Sequence, residues 1–179
     1  VWTPDGVEVY AGGAFETAGG TAAAKLAHWD GSKWNAMGAG IVGTVYAVEG
    51  RSYPWDVPPD IYVGGAFTTA GGITANNVTM IIGNSTYGQL GSGMNGEVRA
   101  LCRDAATGIV YAGGAFTTAG DVAANHVAAW NGTMWQALDQ GLNNTVHTLW
   151  VDDDGVLYAG GAFTASGAGE PILSGAAKY

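Results

Sequence analysis

A hexamer recurs four times along the chain. Tyr-Ala-Gly-Gly-Ala-Phe runs from Tyr10 to Phe15 and from Tyr111 to Phe116, and recurs between Tyr158 and Phe163. With valine in second place it also runs from Tyr62 to Phe67. Its tyrosines lie 47 to 52 residues apart in a chain of 179. A fixed period of this length marks stacked supersecondary units, each too small to bury its apolar face alone. The glycine pairs are Gly12 and Gly13, Gly64 and Gly65, Gly113 and Gly114, and Gly160 and Gly161. A pair held at one register position predicts close approach of a neighbouring backbone, with φ > 0 where the chain leaves the strand.

A second anchor follows the first. Trp29 and Trp34 flank Asp30-Gly31-Ser32-Lys33, and Trp130 and Trp135 flank Asn131-Gly132-Thr133-Met134. Asp-Gly and Asn-Gly between apolar residues are hairpin signals of the type I′ kind, so each tryptophan pair is expected across a β-hairpin. The segments around Val45, Val98 and Val146 alternate with period two between turn signals, and no stretch keeps a 3.6 period. Each period therefore reads as four short strands. The second repeat is degenerate: 81–87 replaces its tryptophan hairpin, and its first loop, 52–60, is enlarged and carries three prolines. The segments 16–24, 68–76 and 117–125 read as loops tucked down by Phe15, Phe67 and Phe116, with Phe163 as the fourth such anchor.

Four antiparallel strands per period is the sequence form of a β-propeller blade. The expected fold is all-β, with blades at 1–40, 41–93, 94–141 and 142–179, the last incomplete. The phase of the repeat predicts part of a larger propeller, or a ring closed by another chain. The glycine pairs, with Trp-Asp-Gly-x-x-Trp-x-x-Met and its Trp-Asn-Gly counterpart, resemble the Kelch repeat. They resemble still more closely the repeat arrays of secreted and cell-surface bacterial proteins and the extracellular propeller of fungal cortical-marker proteins. That resemblance implies the propeller fold and leaves function open, since one fold hosts many activities.

Composition narrows the function classes. The net charge is −9 with six Lys and Arg, so there is no basic patch to neutralise phosphates or to meet an anionic membrane surface. No apolar run reaches the ~20 residues of a spanning helix. Charged residues are 12% of the chain, about half the usual share, which suits an extracellular or cell-surface location, or the exterior of a virion or filament. Cys102 is the single cysteine, which excludes an internal disulfide, and its apolar setting predicts a buried thiol.

Few residues point to chemistry. His28, His126 and His147 fall at different places in the repeat, which gives no repeated metal site. Asp152-Asp153-Asp154-Gly155 is the densest acidic cluster. Asp152 and Asp154 are the candidate calcium ligands, although the spaced ligands of an EF-hand loop are missing. Glu16, Asp121 and Glu170 lie in corresponding loops without recurring as a set. Asn77, Asn84, Asn131 and Asn143 open Asn-x-Ser/Thr triplets, acceptors in a secretory eukaryote. Tyr53, Trp55 and Asp56 in the enlarged loop are the candidate partner-contact residues. No cofactor is expected. The function expected from these residues is a non-enzymatic structural or adhesive propeller module that contacts protein partners or assembles with itself. The alternative is a glycan-binding or catalytic propeller with its site in the loops of one face.

Overall fold

The computed structural model describes residues 2–3, 6–50, 60–166 and 175–179. Loop residues Tyr53, Trp55 and Asp56, and Glu170, lie outside them. The described residues form strands and turns, and every strand pairing is antiparallel.

The chain divides into two compact units, Val1–Gln89 and Leu90–Tyr179. In the first, β1 (Trp2–Thr3) pairs with β2 (Gly6–Val7), followed by β3 (Val9–Gly12), a small hairpin of β4 (Thr17–Ala18) and β5 (Thr21–Ala22), then β6 (Leu26–Trp29) and β7 (Trp34–Ala36). Strands β3, β6 and β7 make a three-stranded sheet. The second repeat supplies β8 (Ile41–Gly50), β9 (Ile61–Ala70), β10 (Ile73–Thr74), β11 (Val78–Ile82) and β12 (Thr86–Gly88) in one sheet centred on β9. The Leu90–Tyr179 unit begins with β13 (Val98–Arg103) and β14 (Val110–Gly114). A hairpin of β15 (Thr118–Ala119) and β16 (Val122–Ala123) follows, then β17 (Val127–Trp130) and β18 (Trp135–Ala137). Its last sheet is β19 (Val146–Val151), β20 (Leu157–Gly161) and β21 (Ala176–Lys178).

The all-β expectation holds, but the propeller does not. The sheets are separate and unequal: three strands in the first repeat, five in the second, four in the third and three in the fourth, with two-stranded hairpins beside them. They do not close into a ring of four-stranded blades. Among the described residues only the third repeat has the four strands of a blade, while the second adds the short strand β10 beside β9. The structural or adhesive propeller module, and its glycan-binding or catalytic alternative with a site in the loops of one face, presuppose that ring and are set aside with it.

The glycine pair serves two packings. A Cβ on Gly65, Gly114 or Gly161 would lie 2.1, 2.0 or 2.2 Å from a carbonyl oxygen of the adjacent strand or its lead-in, at Thr44, Glu97 and Thr145. The first glycine faces the next sheet: a Cβ on Gly12 would lie 2.3 Å from Val45 Cγ1, and one on Gly113 2.5 Å from Val146 Cγ1. Close approach, and not backbone conformation, is what Gly12, Gly65, Gly113, Gly114 and Gly161 serve, since none of the eight glycines has a positive φ.

Left-handed backbone appears instead at a position the repeat pattern did not flag. Lys25, Asn77, His126 and Gly175 have φ of 67°, 62°, 65° and 76°. Their N–H groups donate to the carbonyls of Phe15, Phe67, Phe116 and Phe163 at 2.8 to 2.9 Å. Their own carbonyls accept from Gly13, Gly65, Gly114 and Gly161 at 3.0 Å. The aromatic anchors are thus pinned by backbone as well as by burial; Phe67, Phe116 and Phe163 are at most 3% exposed.

The stretches read as loops at 16–24, 68–76 and 117–125 contain two-residue β-turns. Gly19-Gly20 and Gly71-Gly72 have positive φ at both positions, the type I′ pattern. The turns lie under a ring from later in the same repeat. Cβ atoms on Gly19, Gly71 and Gly120 would meet Trp34 at 2.8 Å, Tyr87 at 2.1 Å and Trp135 at 3.2 Å. Tyr87 therefore replaces the second tryptophan in the degenerate repeat. Its hydroxyl donates to the Met37 carbonyl at 2.6 Å, and burial pushes its pKa up to about 12. Trp135 Nε1 donates to the Leu90 carbonyl at 2.8 Å. Met37 and Leu90 hold the same place in successive Gly-rich turns, so the two rings clasp equivalent carbonyls.

Candidate functional site

The tryptophan hairpins build the first candidate. Trp29 pairs with Trp34 and Trp130 with Trp135, with ring centroids 5.7 and 5.3 Å apart. The connecting loops have four residues. In them Asp30 Oδ1 accepts from the N–H groups of Ser32 and Lys33 at 2.9 Å, and Asn131 Oδ1 accepts from those of Thr133 and Met134 at 3.0 Å. Only Gly31 and Gly132 take positive φ, so these are Asx-stabilised loops rather than the expected I′ turns. Beside the second hairpin lies a cleft of about 370 Å³ lined by Gly91, Gly120, Asp121, Trp130, Met134 and Trp135 among others. Both indoles are buried and Met134 is 59% exposed, so a thioether rather than an open ring face meets solvent. That arrangement offers no stacking platform for a pyranose.

The carboxylates hold turns. Asp152 Oδ1 accepts from the N–H groups of Asp154 and Val156 at 3.1 and 2.8 Å. Asp104, at the equivalent turn of the third repeat, is 6% exposed and accepts from Ala106 N–H at 2.8 Å, from Thr107 N–H and from the Thr107 hydroxyl. Among the described residues no group of three His, Cys, Asp or Glu could hold a metal ion. The Thr107 hydroxyl, then the Ala106 N–H, holds the Asp104 carboxyl below the usual carboxylate range. A folded pKa below the unfolded ~3.9 means that this contribution is complete above about pH 4 and is lost as pH falls through the folded value. Asp104→Asn is therefore expected to be less stable at pH 7 and to lose less stability between pH 5 and pH 2. Urea melts across that range check this, and an unchanged pH slope would contradict it.

The remaining expected residues are dispersed. Asn143 Oδ1 accepts from the N–H groups of Thr164 and Ala165 at 2.9 and 3.1 Å while its Nδ2 donates to Thr164 Oγ1 at 3.1 Å. Asn95 does the same for Thr117 and Thr118. The Asn143 amide is thus part of the strand edge. Asn77 Oδ1 accepts from Phe67 N–H, Asn84 Oδ1 accepts from the Tyr10 hydroxyl, and Asn131 sits on its exposed loop. His28 is buried and stacks on Tyr10, with Nε2 3.6 Å from a Glu8 oxygen. His126 Nδ1 lies 3.1 Å from the Gly114 carbonyl oxygen, and His147 is exposed. Glu16 pairs with Lys25, and Cys102 is buried.

The second candidate is a surface that sequence reasoning missed. Strand register places Trp150, Tyr158 and Lys178 in one row across β19, β20 and β21. Trp150 and Tyr158 stack with centroids 5.3 Å apart at 29°, and Lys178 Nζ lies 5.9 Å from the centre of the Tyr158 ring. The Asp152 carboxylate beside the Tyr158 hydroxyl, with some desolvation, raises its pKa. Trp150 is 60% and Tyr158 36% exposed, and Thr148, Ala176 and Lys178 beside them are exposed. A stacked aromatic pair on an open sheet face is the residue chemistry enriched at protein contacts. The available signal was the phase of Trp150, which falls where Glu49 and Cys102 stand in the second and third repeats.

No family model matches the chain, and no curated protein matches it. The likeness to Kelch-type repeats is thus carried by the motif alone. Among the described residues no helix is long and apolar enough to cross a membrane.

Proposed function

We propose that the chain is a non-catalytic β-repeat scaffold, working outside the cell, that engages a protein surface through the outer face of β19, β20 and β21. The observation that carries this reading is the Trp150–Tyr158–Lys178 row, an aromatic strip on an open sheet where the third repeat's equivalents, Cys102 and Ala129, are buried. Its mode of action is contact by a sheet face, independent of any ring. Turn-holding roles for Asp30, Asp104 and Asp152 support a chain that does no chemistry of its own. A low charged fraction with six Lys and Arg supports the extracellular setting.

A photo-crosslinking residue at position 150, exposed to the secreted proteins of the source cell, is expected to form protein adducts, and the same residue at exposed Met134 is not. Failure to form adducts at 150, or equal yields at both positions, would overturn the reading. Trp150→Ser is expected to change stability by no more than about 0.5 kcal/mol, as for a side chain kept for contacts rather than for the core.

A further inference from the structure

The chain contains two Asn-Gly dipeptides, Asn95-Gly96 and Asn131-Gly132. This pairing is prone to deamidation, because a glycine nitrogen approaches the preceding amide with no side chain in the way. Both lie in the Leu90–Tyr179 unit, and they are held in opposite ways. Asn95 reaches across to the start of β15. Its Oδ1 accepts from the N–H groups of Thr117 and Thr118 at 2.8 and 2.9 Å, and its Nδ2 donates to Thr117 Oγ1 at 2.9 Å. Both ends of that amide are thus engaged away from its own main chain. Gly96 is packed as well: a Cβ there would lie 3.0 Å from the Ala115 carbonyl oxygen.

Asn131 folds back over its own main chain instead. Its Oδ1 accepts from Thr133 N–H and Met134 N–H at 3.0 Å and from the Thr133 hydroxyl at 2.9 Å. These donors directly follow Gly132, so Cγ is held over the peptide whose nitrogen would attack it. They also point at the oxygen on which negative charge would develop. The loop from Asn131 to Met134 is exposed, and nothing lies within 4 Å of a Cβ placed on Gly132.

We propose that Asn131 is a self-modification site, where the folded hairpin promotes deamidation through a succinimide while Asn95 is spared. The Gly132 nitrogen bonds to Asn131 Cγ, its proton passes through water to Nδ2, and Nδ2 leaves as ammonia. Water then opens the imide at either carbonyl, leaving aspartate or isoaspartate at position 131 and one added negative charge. The two products differ in consequence. Aspartate reproduces the loop of the first repeat, where Asp30 Oδ1 accepts the same bonds from Ser32 and Lys33. Isoaspartate adds a methylene to the main chain between Trp130 and Trp135, which pair across β17 and β18. Asp30 itself stays out of this chemistry. Hydrogen bonds from the Ser32 hydroxyl, then from Lys33 N–H, hold its carboxyl well below the usual range, and an ionised carboxylate is a poor target for a nucleophile.

Peptide mapping of the unglycosylated 179-residue protein, kept folded at mildly alkaline pH and sampled over weeks, tests this. Deamidation is expected to be at least about tenfold faster at Asn131 than at Asn95, and the two rates to converge in urea, where only the shared dipeptide acts. Thr133→Val is expected to slow the Asn131 reaction about threefold, a fraction of what an enclosed oxyanion donor supplies. Equal rates in the folded protein, a slower reaction at Asn131, or a ratio that persists in urea overturns the inference. So does a Thr133→Val protein that reacts as fast as wild type or faster, since the loop would then restrain the amide rather than promote its attack. Asn131→Asp is expected to melt like wild type, and samples enriched in isoaspartate at 131 to melt lower. Equal melting of the two would refute the consequence drawn for the longer main chain.

Discussion

Gly114→Ala is expected to destabilise the Leu90–Tyr179 unit by about 3 kcal/mol or more, the range of severe overpacking against an unyielding neighbour. Its Cβ would stand 2.0 Å from the Glu97 carbonyl oxygen and 3.0 Å from Val98 Cα, both backbone atoms. Moving them would break the pairing of β13 with β14 and the Ala115 N–H bond to the Glu97 carbonyl. Gly88→Ala is the control. It also lies in a strand, but the nearest atom to its Cβ would be the mobile end of Met80 at 3.6 Å. That change is expected to fall within about 0.5 kcal/mol of wild type, as for an unencumbered surface site. Urea denaturation of both variants checks the pair, and similar losses would mean that glycine is required for chain flexibility rather than for space.

Trp135→Ala is expected to cost about 4 kcal/mol, the range for deleting a buried aromatic side chain. Trp135 is 4% exposed, packs against Trp130 and covers the Gly120 turn. Trp135→Phe separates its two roles. The phenyl ring retains much of the packing but cannot donate to the Leu90 carbonyl, so a loss of about 1–3 kcal/mol is expected from leaving that acceptor unpaired. Calorimetric or urea unfolding resolves the two. A Phe variant as stable as wild type would show that the indole serves by volume alone.

Local pairing was legible and closure was not. The tryptophan pairs, the strand after each tyrosine and the close approach at the glycines all depend on neighbours within a few tens of residues, and the hexamer and the Trp motif specify them. The glycine hairpins at 19–20 and 71–72 carry a readable signal, since Gly-Gly between Ala18 and Thr21 and between Ala70 and Ile73 is a two-residue turn signal. Left-handed Lys25 was not readable, because lysine does not announce φ > 0; the position is held by two backbone hydrogen bonds, one to Phe15 and one from Gly13. The strand lengths of the second repeat depend on Val42 standing where Asn95 and Asn143 stand. The asparagine amides take the place of ladder bonds, while at Val42 the ladder itself continues through Thr69. A repeat period says that a unit recurs; how many strands each copy pairs depends on single positions such as Val42, which no period announces.

The ring clasps also have a direction. The Met37 and Leu90 carbonyls precede the groups that reach them, Tyr87 and Trp135, by 50 and 45 residues. On a ribosome each acceptor has left the exit tunnel before its donor is made. At these two clasps the second and third repeats meet a finished seat rather than a partner still to come, and their docking during synthesis can run from the N-terminus forward.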